Sequence, residues 1–107
     1  MSKYRNERGV MIEVPGTAYM DGRDFAAEPP LTVGRINLWS GTGRRATPPY
    51  QALHGSKVSV VRHVYKRHRD WFLVRIEGPE GMPNFEGWVL GSFLNVEQLP
   101  PIGEMIL

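Results

Sequence analysis

Apolar and polar residues alternate over short stretches of this 107-residue chain, and the spacing of a long amphipathic helix is missing from it. Twelve glycines and nine prolines would also interrupt long helices. We therefore expect an all-β protein, and the length corresponds to a single domain. The alternation predicts strands at residues 10–14, 17–20, 31–39, 58–65, 71–77 and 86–90.

The beginning of the chain is expected to form an extension outside the main sheet. It contains a predicted short hairpin, residues 10–14 and 17–20, around the turn Pro15-Gly16. The hairpin is followed by a connector ending in Pro29-Pro30, because consecutive prolines cannot donate to a sheet ladder. The predicted division is an extension at 1–30, a small antiparallel barrel at 31–97 and an apolar tail, packed on the barrel, at 98–107.

Four segments occur in an order and spacing that resemble the bacterial SH3-like (Src-homology-3-type) domains. The resemblance implies an SH3-like barrel with a short helical turn before its last strand, and a function in binding rather than catalysis. The segments are Ile36-Asn37-Leu38-Trp39-Ser40-Gly41-Thr42-Gly43, Leu53-His54-Gly55-Ser56-Lys57-Val58, Asp70-Trp71-Phe72-Leu73, and Gly87-Trp88-Val89 with Gly91-Ser92-Phe93-Leu94.

The same resemblance implies an aromatic groove for an extended peptide. Trp71 corresponds to the ligand-gripping Trp of peptide-binding members, while Leu90 and Phe93 take the places of their Pro and Tyr. If Ile36 and Leu38 face the core, strand alternation is expected to turn Trp39 outward. The predicted groove residues are Trp39, Tyr50, Trp71, Leu90 and Phe93. The alternative is that the terminal extensions fill this groove, in which case these rings are core. Trp88 is assigned to internal packing in either case.

Charge is distributed unevenly, although the net charge is only +2. Residues 35–75 carry nine Lys or Arg and a single acid, Asp70, whereas five glutamates and no Lys or Arg follow Arg75. Arg44 and Arg45 stand where peptide-binding relatives carry acids in the first long loop. A basic Pro-rich peptide is therefore a disfavoured partner.

A basic patch is predicted at the tip of the main hairpin and in the first long loop. Cations next to an aromatic ring, here Tyr65, suit phosphate contacts with base stacking, so nucleic acid or another polyanion is an alternative partner. Solvated charge on an exposed hairpin tip is the competing interpretation. The patch comprises Arg44, Arg45, Arg62, His63, Lys66, Arg67, His68 and Arg69.

The sequence contains no arrangement of residues that is typical of a catalytic site. The chain has no cysteine, so disulfides, thiolate metal sites and cysteine nucleophiles are excluded. Asp21 and Asp24 fit turn chemistry, because no nucleophile or activating base accompanies them. His63 and His68 lack a third ligand at a suitable spacing, so neither a metal nor a cofactor is expected. The charged beginning shows no signal peptide and no membrane span, which favours a cytoplasmic protein.

The function expected from the sequence is a non-catalytic binding module that recognises a protein or peptide segment through the aromatic groove. Polyanion binding through the basic hairpin at residues 62–69 is the main alternative. Binding of bacterial cell-wall peptides is a third possibility and would require export of the protein.

Overall fold

The computed structural model describes residues 1–24, 31–43, 46–48, 50–78, 80–81 and 83–99, and these are folded almost entirely as β-strands. A short 3-10 helix, Gly91–Phe93, follows the tenth strand. The expected all-β class is confirmed. The strands are β1 (Ser2–Arg5), β2 (Met11–Val14), β3 (Gly16–Met20), β4 (Arg23–Asp24), β5 (Leu31–Thr32), β6 (Arg35–Leu38), β7 (Tyr50–Leu53), β8 (Lys57–Lys66), β9 (Arg69–Ile76), β10 (Phe85–Leu90) and β11 (Leu94–Asn95).

The main element is a five-stranded sheet, with strands in the order β10-β9-β8-β3-β11, curled into a half-barrel. Its neighbouring strands all pair antiparallel. Three two-stranded sheets surround it: β1-β2, β4-β5 and β6-β7. Alternation explains the β8-β9 hairpin, because Val58 and Val60 on β8 and Phe72 and Val74 on β9 all point into the core. This hairpin has nearly the predicted bounds.

The predicted N-terminal hairpin is wrong. β2 pairs with β1 and not with β3, and Met11 lies opposite Arg5. β3 instead lies inside the large sheet, where it pairs with β8 on one side and β11 on the other. β3 therefore belongs to the large sheet, whereas β1 and β2 form a separate two-stranded sheet whose Ile12 is buried in the core. The connector predicted at residues 25–30 and residues 100–107 of the apolar tail lie outside the described residues.

The core consists of apolar residues from the curled sheet and from the small sheets that cover it. The predicted strand at 31–39 divides into β5 and β6, and the second half supplies Ile36 and Leu38 to this core. The buried apolar residues are Ile12, Ala18, Met20, Ile36, Leu38, Ala52, Val58, Val60, Phe72, Val74, Val89 and Leu94.

Gly87 allows β6 to lie close against β10. A Cβ placed at Gly87 would lie 2.5 Å from the Cβ of Leu38, so only glycine permits this approach. Immediately beyond, the backbones of Trp39 and Trp88 exchange two hydrogen bonds, of 2.8 and 2.7 Å. Trp88 is only half-buried, and its neighbours Gly87 and Val89 face the core. The assignment of Trp88 to internal packing is therefore wrong. The Gly-Trp-Val motif instead joins β10 to β6, through the close approach at Gly87 and the backbone hydrogen bonds of Trp88.

A polar clasp, defined as Asn6, Arg8, Asp21 and Arg23, fastens the β1-β2 turn to the end of β3 and to the 3-10 helix. The buried Asn6 amide donates to the carbonyls of Gly91 (2.7 Å) and Leu94 (3.0 Å). Its side-chain oxygen accepts from the backbone N–H groups of Arg8 and Val10, both at 2.9 Å. All hydrogen-bonding atoms of this buried amide thus find partners.

Asp21 is completely buried, and two arginines compensate its charge. The Arg23 guanidinium donates to both carboxylate oxygens, at 2.9 and 2.7 Å, and Arg8 approaches to 3.8 Å. Burial by itself raises the pKa of the Asp21 carboxyl. The bonds from Arg23 and Asn95 and the charge of Arg8 outweigh it and lower the pKa to about 2.

Candidate ligand-binding groove

An open groove of about 430 Å³ lies on the outer side of the sheet, next to β6. Four of the five predicted groove residues, Trp39, Trp71, Leu90 and Phe93, line it together. Each of these four is half-buried and none belongs to the fully buried core, although Phe93 packs against it. The alternative that the terminal extensions fill the groove concerns residues 25–30 and 100–107, which lie outside the described residues. The full lining is Val33, Arg35, Ile36, Asn37, Trp39, Arg69, Trp71, Leu90 and Phe93.

Strand alternation places Trp71 and Leu90 in this lining. In β9 the neighbouring Phe72 is fully buried, so Trp71 points to the opposite face of the sheet. Leu90 lies directly opposite Trp71 in the antiparallel register, and paired residues share a face. The 3-10 helix that begins at Gly91 then turns the chain and brings Phe93 to the end of the groove.

β6 and the residue after it contribute the next part of the lining. Ile36 and Leu38 are buried, and Arg35 and Asn37 have the opposite parity. Trp39 continues this outer series, as expected from the alternation, and completes the groove. Sequence reasoning missed Arg35 and Asn37, although the alternation that turned Trp39 outward applies equally to both.

Tyr50 does not join the groove. It lies on β7, 41% exposed, and its ring packs against Phe85 at a centroid distance of 4.8 Å. These two rings line a neighbouring depression of about 510 Å³ that shares Arg35 and Asn37 with the groove. The side-chain amide of Gln51, which lines this depression, donates a 2.9 Å hydrogen bond to Oδ1 of Asn37. Tyr50 therefore belongs to an adjoining site and not to the groove itself.

The predicted basic patch is only partly assembled. Arg62, Lys66 and Arg69 are exposed, and Lys66 lies opposite Arg69 in the register. Arg62 lies opposite Leu73, on the same face of the sheet as the Lys66–Arg69 pair, because alternate residues of a strand share a face. Arg69 is the member that reaches the groove. Arg44 and Arg45 lie outside the described residues.

His63 does not contribute to an exposed patch. Its ring stacks on Tyr4 at a centroid distance of 3.6 Å, and only 10% of the side chain is exposed. Nε2 of His63 lies 2.6 Å from Oδ1 of Asp70. The physical cause is a β-bulge between Val60 and Arg62, which reverses the alternation and turns His63 inward.

Arg67 and His68 form the two-residue tip of the β8-β9 hairpin. Both have positive φ, 54° and 63°, a backbone region that glycine and asparagine prefer in such turns. The Arg67 guanidinium donates to the backbone carbonyl of Thr42. The tip is thus tied back to the loop that follows Trp39, and Arg67 is held against this loop.

The electrostatic character of the groove is positive. Its described lining contains Arg35 and Arg69 and no acidic residue. Asp70 adjoins Arg69 in sequence but lies on the other face, against His63. Arg75, the remaining cation of β9, is bound to Glu86 at 2.5 Å. The two groove arginines form no ion pair with any acid in the described part of the chain.

Two further features bear on the kind of site. Within the described residues, no group of three or more His, Cys, Asp or Glu side chains is placed to hold a metal ion. No helix among them is long and apolar enough to cross a membrane. Comparison with known proteins found no matching family model, curated protein or solved structure.

Proposed function

We propose that this protein is a non-catalytic, SH3-like binding module that holds an extended peptide segment in the groove between Trp39 and Trp71. The observation that carries the proposal is the convergence of Trp39, Trp71, Leu90 and Phe93, from three separate segments of the sequence, on one groove. Half-buried aromatic rings supply large contact areas at little entropic cost, and Trp is enriched among interface hot spots.

The position of the 3-10 helix also supports the SH3-like assignment. Gly91–Phe93 forms this helix directly after Leu90, and Leu94 begins the last strand. The resemblance in sequence implies this order. It also implies that Leu90 and Phe93 replace the Pro and Tyr of peptide-binding members, so the ligand differs from theirs.

Polyanion binding through the hairpin is the weaker candidate. Three exposed cations, Arg62, Lys66 and Arg69, remain on one face to favour it. His63 is turned inward and Arg67 is bound to Thr42, so the tip presents less free charge than its composition suggests. Tyr65, the ring on which a base could stack, is 62% exposed, but its parity places it on the opposite face of the hairpin from these three cations.

The test is selection of ligands from a random linear peptide library displayed on phage, followed by binding to single variants. Trp39→Ala and Trp71→Ala should each weaken the selected peptides by roughly 30-fold, the scale of a hot spot of about 2 kcal/mol. Tyr65→Ala is the control, because it removes an exposed aromatic ring that does not line the groove. Denaturation midpoints establish that each variant folds. Peptides that bind both groove variants as tightly as the wild type, or no selected peptide at all, would overturn the proposal.

A further inference from the structure

The groove combines an apolar interior with cations placed at its boundary. Trp39, Trp71, Leu90 and Phe93 supply the apolar surface, and Arg35 on β6 and Arg69 on β9 belong to the same lining. Both arginines are exposed. A ligand side chain that enters between the tryptophans therefore has a guanidinium within the same site from two different strands.

The fold does not use these two arginines for internal pairing. Four Lys and Arg side chains of the described chain have acidic partners, namely Arg8 and Arg23 at Asp21, Lys3 at Glu13 and Arg75 at Glu86, whereas the others, Arg35 and Arg69 among them, form no ion pair there. Neither Arg35 nor Arg69 forms such a pair among the described residues. A carboxylate brought by a ligand would meet two guanidinium groups without competition from an acid of the groove.

Arg35 also has a second apolar neighbourhood. It lines the adjoining depression together with Tyr50 and Phe85. Arg35 thus borders two depressions that each contain aromatic rings, and an extended chain can present side chains to both, because alternate residues project in the same direction. This arrangement suits an acidic side chain at the centre with apolar side chains around it.

We propose, on the basis of the function proposed above, that the partner is an acidic peptide segment. An apolar side chain occupies the space between Trp39 and Trp71, and neighbouring Asp or Glu side chains pair with Arg35 and Arg69. Charge complementarity selects this partner over a basic peptide, for which the arginines are a repulsive element. Val33 and Leu90 add aliphatic surface that suits an apolar side chain, while the rings of Trp39, Trp71 and Phe93 could also stack on nucleobases, so an oligonucleotide is one arm of the test.

The experiment compares peptides selected from a random linear phage library by the wild type and by the double variant Arg35→Glu, Arg69→Glu. The wild type should enrich Asp and Glu beside an apolar residue, and the charge-reversed protein should enrich Lys and Arg. Binding of the wild-type peptides should fall about tenfold or more in Arg35→Gln, Arg69→Gln. The matched control is Arg62→Gln, Lys66→Gln, which removes the same charge from exposed positions outside the lining and should retain binding within about threefold.

The outcomes separate this inference from the proposed function. Selected peptides that depend on Trp71 but show no acidic enrichment would overturn the inference and leave the binding groove intact. An equal loss of peptide binding in the control double variant would show that the overall positive charge of the protein, and not Arg35 and Arg69 in particular, holds the peptide. That result would also overturn the inference. A single-stranded oligonucleotide that binds through Trp71 more tightly than any selected peptide would identify a different partner. Peptides that bind without Trp39 and Trp71 would overturn both proposals.

Discussion

The polar clasp and the groove each contain two arginines, but the two regions use them differently. At the clasp, Arg8 and Arg23 surround the fully buried Asp21, whose carboxylate oxygens both accept hydrogen bonds from Arg23. At the groove, Arg35 and Arg69 lie beside aromatic rings with no carboxylate in the lining. The clasp therefore has its ionic interactions complete in the folded chain, whereas the groove lacks the negative partner.

This difference separates stability from recognition. An ion pair that is buried and fully hydrogen-bonded makes the fold sensitive to loss of either partner. An exposed cation without a partner contributes little to folding and is available for a ligand. Substitutions in the clasp should consequently lower the stability of the fold, whereas substitutions of the groove arginines should weaken ligand binding and leave stability nearly unchanged.

The largest effect is expected from Asp21→Ala. It leaves Arg8 and Arg23 beside a site without a negative charge and should lower the free energy of unfolding by about 3–5 kcal/mol. Urea denaturation measures this change. Glu13→Ala is the control, because Glu13 meets Lys3 at 3.8 Å on the surface and such a pair contributes about 1 kcal/mol or less. Equal effects of the two substitutions would contradict the role of the clasp.

A second prediction uses pH to isolate the same carboxylate. The pKa of Asp21 is lowered from 3.8 to about 2, so its stabilisation is complete above pH 3.8 and is lost as the pH falls toward 2. The difference in pKa corresponds to about 2 kcal/mol of stability. Urea unfolding across this range should show a smaller decline for Asp21→Asn than for the wild type. Parallel declines would show that Asp21 does not carry this pH dependence.

The smallest effect on stability is expected at the groove. Replacing Arg35 and Arg69 together by Gln should change the free energy of unfolding by no more than about 0.5 kcal/mol per site, because neither has an acidic partner in the described chain. The same denaturation assay checks this. A loss comparable to that of Asp21→Ala would mean that these arginines support the fold and are not reserved for a ligand.

The sequence predicted the groove better than it predicted the sheet. The resemblance to SH3-like domains implied that Trp71, Leu90 and Phe93 share one groove, and strand alternation turned Trp39 outward, and these four residues line one groove in the structure. The pairing of β3 with β8 joins Ala18 to Val58. The alternation of apolar and polar residues shows which face of a strand is buried, but it does not show which other strand lies beside it in the sheet.

Two site residues show further limits of alternation. His63 has the parity of an outward residue if counted from Val58, but the bulge after Val60 reverses the count. Tyr50 was assigned to the groove by its place in the resemblance, yet β7 pairs only with β6 in its sheet and carries Tyr50 toward Phe85. Bulges and strand partners depend on tertiary packing, so the alternation of one strand does not reveal them.

The central claim, that the groove is the recognition surface, is tested most directly by NMR titration of the wild-type protein with an acidic peptide selected by it. The indole N–H signals of Trp39 and Trp71 and the side-chain N–H signals of Arg35 and Arg69 should show the largest shifts. The backbone N–H signals of Thr17 and Ser59, which pair in the β3-β8 part of the sheet and do not line the groove, serve as the internal reference and should change little. The largest shifts at these two residues, or at other exposed residues of β8 outside the groove, would contradict the account.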